Sequence, residues 1–92
     1  MRASILQKRI LEKVVYPSAA RAAGFKGAVG LRLHLSFTGE LLEAKVKNSS
    51  GYKILDDNAL ATAKEISSYP PFPSSIEEKE LWIDVPIVYK LD

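Results

Sequence analysis

Side chains that commonly do chemistry are scarce in this sequence, which holds one histidine and no cysteine among 92 residues. Without cysteine there is no disulfide bond, no thiolate nucleophile and no zinc site built on cysteine. His34 lies in a segment of strand-like alternation, at a position predicted to face outward. A lone histidine of this kind is usually solvent-facing. We therefore predict no catalytic residue and no enzyme activity.

The neighbouring acids Asp56 and Asp57 are the best candidates for holding a cation. Hard cations need about six oxygen ligands or more, which this pair cannot supply. Two acids in the first turn of a helix are better explained as partners of the helix dipole. Gly24, Gly27 and Gly30 lead into a strand and do not join a strand to a helix, so they form no dinucleotide-binding loop. We predict neither a metal site nor a cofactor.

Basic side chains are concentrated in residues 1–32, where seven lysines and arginines stand against one glutamate. This distribution can mark a nucleic-acid-binding arm, although a solvated helix face gives the same pattern. Small sheets that bind RNA stack bases on exposed aromatic side chains. The outward positions of the first predicted strand hold none, and Trp82 alone is a poor platform. We expect no nucleic-acid partner and keep RNA binding as the least favoured alternative.

The N-terminal segment predicts two short helices separated by a kink. Ser4 can cap the first helix, whose apolar positions recur at helical spacing. These positions are Ile5, Leu6, Ile10, Leu11 and Val14. Pro17 pushes Tyr16 toward extended geometry and can itself be the first residue of the second helix, which Gly24 closes.

From Ala28 the pattern changes to alternation, which predicts a β-hairpin. The apolar face of its first strand holds Val29, Leu31, Leu33, Leu35 and Phe37. Residues 38–40, Thr-Gly-Glu, form the predicted turn. The buried face of the second strand is predicted to hold Leu42, Ala44 and Val46.

The C-terminal half predicts a helix, a stiff connection and a third strand. Residues 55–67 are helical by periodicity, and the proline-rich residues 69–75 are extended. The apolar face of the last strand holds Leu81, Ile83, Val85, Ile87, Tyr89 and Leu91.

This order of elements predicts an α+β fold: a small three-stranded sheet of order 2-1-3 with helices packed on one face. The third strand is then antiparallel to the first, parallel to the second, and reached through a helical crossover. It lies at the edge of the sheet, which explains Pro86, because proline is tolerated on edge strands and not on central ones.

The backbone of the last strand is therefore predicted to have an open side. If Pro86 faces that side, so do Trp82, Asp84, Val88 and Lys90. Proteins usually protect such edges, and an aspartate, a proline and a lysine are suited to that. An open edge can also bind a partner's extended peptide as an additional strand. Both interpretations stay open at this point.

Several short pieces of the sequence, in this order, resemble the C-terminal domain of TonB, the periplasmic energy transducer of Gram-negative bacteria. The resemblance covers about residues 14–92. The matching pieces are Tyr16-Pro17, Gly27-Ala28-Val29, Thr38-Gly39-Glu40, Ser49-Ser50-Gly51, Leu55-Asp56, Tyr69-Pro70-Pro71-Phe72-Pro73 and Val85-Pro86-Ile87-Val88-Tyr89. Their combination at these separations carries the resemblance.

The resemblance implies a function in transport across the cell envelope. It implies that the TonB box, a short extended peptide at the N-terminus of outer-membrane receptors, adds as a strand to Trp82, Asp84, Pro86, Val88 and Lys90. The transducer's anchor would lie in the inner membrane beside ExbB and ExbD, and this domain would lie in the periplasm. Proton motive force would then drive uptake of iron–siderophore complexes, cobalamin or similar ligands.

The resemblance also implies a second receptor contact, just before the Tyr-Pro motif, at Lys13 and Val14. Tyr16 and Pro17 would fix the kink near the receptor. For Lys13 a solvated helix face is an equal alternative. We expect residues 1–15 to be a helix ending a spacer and residues 16–92 to be the domain. The family's anchor and long proline-rich spacer would precede these residues in a longer protein.

Self-association is another possible use of the same edge, because two copies could pair their last strands into a homodimer. A mass that rises with concentration would favour this alternative. Binding that is lost steeply with salt would favour RNA. Peptide binding that depends on backbone more than on charge would favour the transducer.

Overall fold

The computed structural model describes residues 3–66 and 68–91, and this part of the chain forms helices on one side of a sheet. The elements, in chain order, are α1 (Ala3–Leu11), α2 (Ser18–Ala23), β1 (Gly27–Ser36), β2 (Leu41–Asn48), α3 (Lys53–Glu65) and β3 (Glu80–Tyr89).

The sheet confirms the predicted topology. Its three strands lie in the order β2-β1-β3, and β1 pairs antiparallel with both neighbours. The strand β3 is therefore parallel to β2, and the crossover between them runs through α3. Since β3 has one paired neighbour among the described residues, it is an edge strand, as the position of Pro86 predicts.

Alternation in β1 predicts its buried face correctly, except at the end. Val29, Leu31, Leu33 and Leu35 have no exposed surface. Phe37, predicted on the same face, is 54 % exposed instead. It lies beyond the end of β1, and the prediction that it is buried was wrong.

A β-bulge changes the predicted face of β2. Leu35 pairs with Leu41, whereas His34 pairs with Glu43, so that Leu42 is the extra residue. The alternation therefore shifts by one position, and Leu41 takes the inward position at the start of the strand. Leu42 is 44 % exposed, which corrects its prediction as a core residue. The inward positions Ala44 and Val46 are half-buried, as predicted.

The β1–β2 turn depends on glycine at position 39. Gly39 has a φ of +92°, and its N–H donates to the Ser36 carbonyl at 3.0 Å. Its own carbonyl accepts from the Tyr69 N–H at 3.0 Å. A Cβ at this position would collide with the Tyr69 carbonyl oxygen. The turn is thus fixed by the segment that follows α3.

Helix α1 forms, but its cap and apolar stripe differ from the prediction. Ser4 lies inside α1 and does not cap it. Leu6 and Ile10 are fully buried, while Ile5 and Leu11 are 48 % and 42 % exposed. The helix rests on the sheet along one narrow line, which residues at i and i+4 suffice to fill.

The segment after α1 forms the predicted kink and second short helix. The Val14 N–H still donates to the Ile10 carbonyl at 3.1 Å, and Val14 is half-buried against the core. Pro17 occupies the N-cap position of α2 and is not its first helical residue, a difference of one position. Gly24 ends α2 with a φ of +75°, as predicted.

Helix α3 begins two residues before the prediction, at Lys53, and ends at Glu65. The predicted helix included Ser67, which lies outside the described residues. Leu55, Ala59 and Ala63 are buried, and the small side chains allow the helix to approach the sheet. Between α3 and β3 the described residues form no helix or strand, which agrees with the predicted extended connection.

One core joins all of these elements. Helix α3 packs on β2 and β1, and α1 packs on β3. The core consists of Leu6, Ile10, Ala20, Val29, Leu31, Leu33, Leu35, Leu55, Ala59, Ala63, Tyr69, Val85, Ile87 and Tyr89. The domain boundary that we place after residue 15 stays a prediction. Helix α1, which precedes that boundary, contributes Leu6 and Ile10 to this core.

Candidate functional site

The outer edge of β3 carries the residues predicted to bind a partner, and no strand of the described residues pairs with it. In the β1–β3 register Gly30 lies opposite Pro86. Just beyond the strands and in the same register, the Phe37 N–H donates to the Lys79 carbonyl at 2.8 Å. Hydrogen-bonded and non-hydrogen-bonded pairs alternate in an antiparallel ladder. The odd-numbered residues of β3 therefore bond to β1, and the even-numbered ones point away from it.

This register brings the predicted edge residues together on the open side. The backbone N–H and C=O groups of Trp82, Asp84 and Val88 face outward, and Pro86 offers only its carbonyl. The side chains of these four residues are all exposed. Lys90, also exposed, follows the last residue of β3 and lies outside the strand. The edge thus offers main-chain donors and acceptors with one donor missing.

Asp84 is the centre of an ion-pair network on the sheet face that the helices leave uncovered. Its carboxylate accepts from Arg32 Nε at 2.8 Å and from Lys47 Nζ at 2.7 Å. The network joins β3 to β1 and β2. The hydrogen bond from Arg32, followed by that from Lys47, holds the pKa of Asp84 far below its usual range. Asp84 is therefore ionised and fixed in place, although half of it is exposed.

The Trp82 ring stacks on His34 on the same face of the sheet. The two rings are 4.3 Å apart and nearly parallel. The ammonium of Lys45 lies 5.0 Å from the indole centre, and Glu80 Oε1 lies 3.3 Å from His34 Nε2. His34 is predicted to face outward and does so, but Trp82 covers it and its side chain is only 19 % exposed. The aromatic surface next to the edge is thus held rigidly.

The Tyr16 side chain of the Tyr-Pro motif packs at the end of the sheet where β3 ends. The Tyr16 hydroxyl donates to the Phe25 carbonyl, and its ring packs edge-on against Tyr89 at 5.3 Å. The guanidinium of Arg21 lies 5.5 Å from the Tyr16 ring centre. These contacts fix the path of the chain from α1 into α2.

The side chains of Lys13 and Val14, the predicted second contact, have different surroundings. Val14 is half-buried against the core. Lys13 is exposed and lines a shallow polar cavity with Arg9 and Glu65, on the side of α1 that faces the end of α3. The structure therefore groups Lys13 with α3 and not with the backbone of β3.

Sequence reasoning missed the residues that support the edge from the neighbouring strands. Arg32 and Lys47 hold Asp84, and His34 supports Trp82. Each occupies an outward position of its strand. The signal available in the sequence was their charge or aromaticity at alternate positions, and only the register shows which of them meet.

Asp56 and Asp57, which the sequence predicts as partners of the helix dipole, both bond to neighbouring polar side chains near the start of α3. Asp56 accepts from the Ser50 N–H at 2.9 Å and from the Ser50 hydroxyl at 2.8 Å, next to the start of α3. Burial raises its pKa, but the hydrogen bonds from Ser49 and Ser50 outweigh this and lower the pKa below its usual range. Asp57 pairs with Lys53. Among the described residues no group of acids and histidines could hold a metal ion.

The fold and this site define a small α+β domain whose candidate binding surface is the main chain of an edge strand. A family model described as Gram-negative bacterial TonB protein C-terminal matches residues 12–91. The chain belongs to this family. The TonB family is a transducer and transport family, so the chain is not an enzyme, as predicted.

Individual relatives agree with this assignment. Protein tonB2 of Pseudomonas aeruginosa is 35 % identical over 77 residues, which are 84 % of this chain and 28 % of that protein. Protein TonB of Pasteurella multocida is 27 % identical over 88 residues, or 96 % of this chain and 33 % of that protein. The chain thus spans at most about a third of the length of these relatives.

Solved structures show the same fold. An NMR solution structure of the Helicobacter pylori TonB C-terminal domain matches with a TM-score of 0.81 and 28 % identity, covering 97 % of this chain and 79 % of that one. A second, shorter version matches with a TM-score of 0.73 and 27 % identity, covering 92 % and 88 %. No helix within the described residues is both long and apolar enough to cross a membrane.

Proposed function

We propose that this domain works in the periplasm as the receptor-binding end of a TonB energy transducer. It binds the TonB box of outer-membrane receptors by adding the peptide as a fourth strand beside β3. The observation that carries the proposal is the outward-facing backbone of Trp82, Asp84 and Val88 on an unpaired strand. Membership of the TonB family supplies the kind of partner.

The rigidity of the edge supports this role. The residues that flank the outward backbone are held by Arg32, Lys47 and His34, so the strand does not have to be ordered when the peptide binds. Less ordering leaves more of the interaction free energy for binding. Main-chain pairing also suits one domain that serves several receptors, because backbone groups are the same in every peptide.

Further parts of the proposal concern the whole transducer. An inner-membrane anchor preceding these residues would associate with ExbB and ExbD, and force transmitted through the added strand would open the receptor for iron–siderophore complexes, cobalamin or similar ligands. Lys13, Val14, Tyr16 and Pro17 form the second receptor contact in this proposal, and Lys90 extends the edge.

A matched pair of variants tests strand addition at the edge. Val88→Pro removes an outward donor without removing a β1–β3 hydrogen bond, whereas Val88→Ala removes the side chain and keeps the donor. Each protein is titrated with a synthetic peptide from the N-terminal segment of a TonB-dependent receptor, and backbone amide shifts are followed by NMR. We expect shifts at residues 82–90 in wild type and in Val88→Ala, and binding about tenfold weaker in Val88→Pro.

Equal affinity of the two variants, or a silent β3 at high peptide concentration in the folded monomer, would contradict strand addition. The same edge favours self-pairing as a second candidate function. Sedimentation at increasing protein concentration tests it: a monomer at all concentrations rules out a homodimer formed through β3, and a dimer that Val88→Pro abolishes supports one.

A further inference from the structure

One side of α1 lies next to the open edge of β3. The helices α1 and α3 lie on the same face of the sheet, with α3 packed on β2 and β1 and α1 packed on β3. Since β3 is the edge strand, one flank of α1 faces α3. The opposite flank lies above the space that an added strand would enter.

Leu11 lies on the flank above that space. Arg9 marks the other flank, because its guanidinium donates to the Ser68 carbonyl at 3.3 Å and it lines a cavity at the end of α3. Successive residues of an α-helix are separated by about 100°, so Leu11 lies about 160° away from Arg9 around the axis. Ile10, between them in sequence, faces the core.

The contact that follows α1 shows where the chain leads along β3. After its end, Tyr16 packs on Tyr89, the last residue of β3. The chain that follows Leu11 therefore leads toward the last residues of β3.

We propose that Leu11 forms a side-chain contact with the bound peptide and selects an apolar residue at the position that faces α1. This inference rests on the proposed strand addition. An added strand points every second side chain toward the helices. Leu11 is 42 % exposed beside that path and offers apolar surface to such a side chain.

Ile5 provides a matched control for Leu11. It is a similar apolar residue of the same helix, is 48 % exposed, and lies about one turn before Arg9, on the flank that faces α3. The variants Leu11→Ser and Ile5→Ser therefore make equivalent changes on opposite sides of α1. Melting curves and amide spectra without peptide establish that both variants keep the wild-type fold.

Two peptides serve as probes: one of alternating valine and threonine, and one with threonine at every position, each ending in lysines for solubility. Affinity is measured by NMR titration, with amide shifts of Trp82, Asp84 and Val88 as the readout. We expect wild type and Ile5→Ser to bind the valine peptide about five- to tenfold more tightly than the threonine peptide. In Leu11→Ser we expect this ratio to fall to about one.

The results that would contradict the role of Leu11 also show whether strand addition itself fails. If neither peptide shifts the β3 amides of wild type, strand addition fails and the role of Leu11 fails with it. If both peptides bind at β3 without preference for valine, or if Leu11→Ser keeps the full preference, strand addition stands and the role of Leu11 is overturned.

Discussion

Replacing Ile10 by alanine tests whether α1 is an integral part of this domain. Helix α1 ends at Leu11, and the family model matches only from residue 12 onward. Yet Ile10 has no exposed surface and belongs to the same core as Val85 and Ile87 of β3. If α1 is docked as the structure shows, truncating Ile10 leaves a cavity above β3.

The expected loss of stability follows from this burial. Ile→Ala substitutions at fully buried sites cost about 2–5 kcal/mol, depending on how far the cavity collapses. Because α1 is a short helix at the rim of the core, it can shift to fill part of the space, and we expect about 2–3 kcal/mol. For a domain of this size that loss lowers Tm by roughly 10–20 °C.

Urea and thermal denaturation followed by far-UV circular dichroism measure this loss, with Ile5→Ala as the control. Ile5 is half exposed on the same helix, so its truncation should cost under about 1 kcal/mol. If Ile10→Ala destabilises the domain no more than Ile5→Ala does, α1 is not docked on the sheet. The proposed role of Leu11 would then lose its geometric basis.

Three further predictions concern the loop and the core. Gly39→Ala should lower the free energy of unfolding, measured by urea denaturation, by about 2 kcal/mol or more. The loss should exceed that of Gly51→Ala, because both glycines have positive φ but only a Cβ at Gly39 meets the Tyr69 carbonyl. Equal losses in the two variants would contradict that contact. Tyr69→Phe removes the 2.8 Å hydrogen bond from its hydroxyl to the Ala63 carbonyl and should lower the free energy of unfolding by about 1–2 kcal/mol in thermal melts, whereas an unchanged Tm would mean that the bond contributes nothing. Burial raises the pKa of Tyr69 to about 12 from 10.0, so the folded state disfavours the phenolate. The contribution of Tyr69 to the free energy of unfolding should be fully present below pH 10 and should decline between pH 10 and about 12. Phenolate absorbance and circular dichroism follow this decline, which should be smaller in Tyr69→Phe.

Much of the fold could be predicted from the sequence because its patterns are local. Alternation in β1 and β3 identifies the faces of both strands, since successive side chains of a strand must point to opposite sides. Pro86 predicts the edge position of β3 for an equally local reason, the missing N–H. These physical constraints act within one strand and do not depend on what packs against it.

The errors arose where contacts between distant segments override local pattern. Leu42 alternates correctly along the chain, but the pairing of β1 with β2 inserts a bulge and moves it to the surface. Ile5 and Leu11 fit a helical stripe, but the single line of contact between α1 and β3 leaves them exposed. In both cases the tertiary arrangement, and not the hydrophobicity of the residue, decides burial.

The sequence by itself determined the α+β arrangement and the edge position of β3, because helix and strand periods and the chemistry of one proline are properties of the chain alone. Only the tertiary structure decided which side chains support that edge. Asp84 meets Arg32 and Lys47, and Trp82 meets His34, through strand register. Register is set by pairing across the sheet, so residues far apart in sequence become neighbours only after folding.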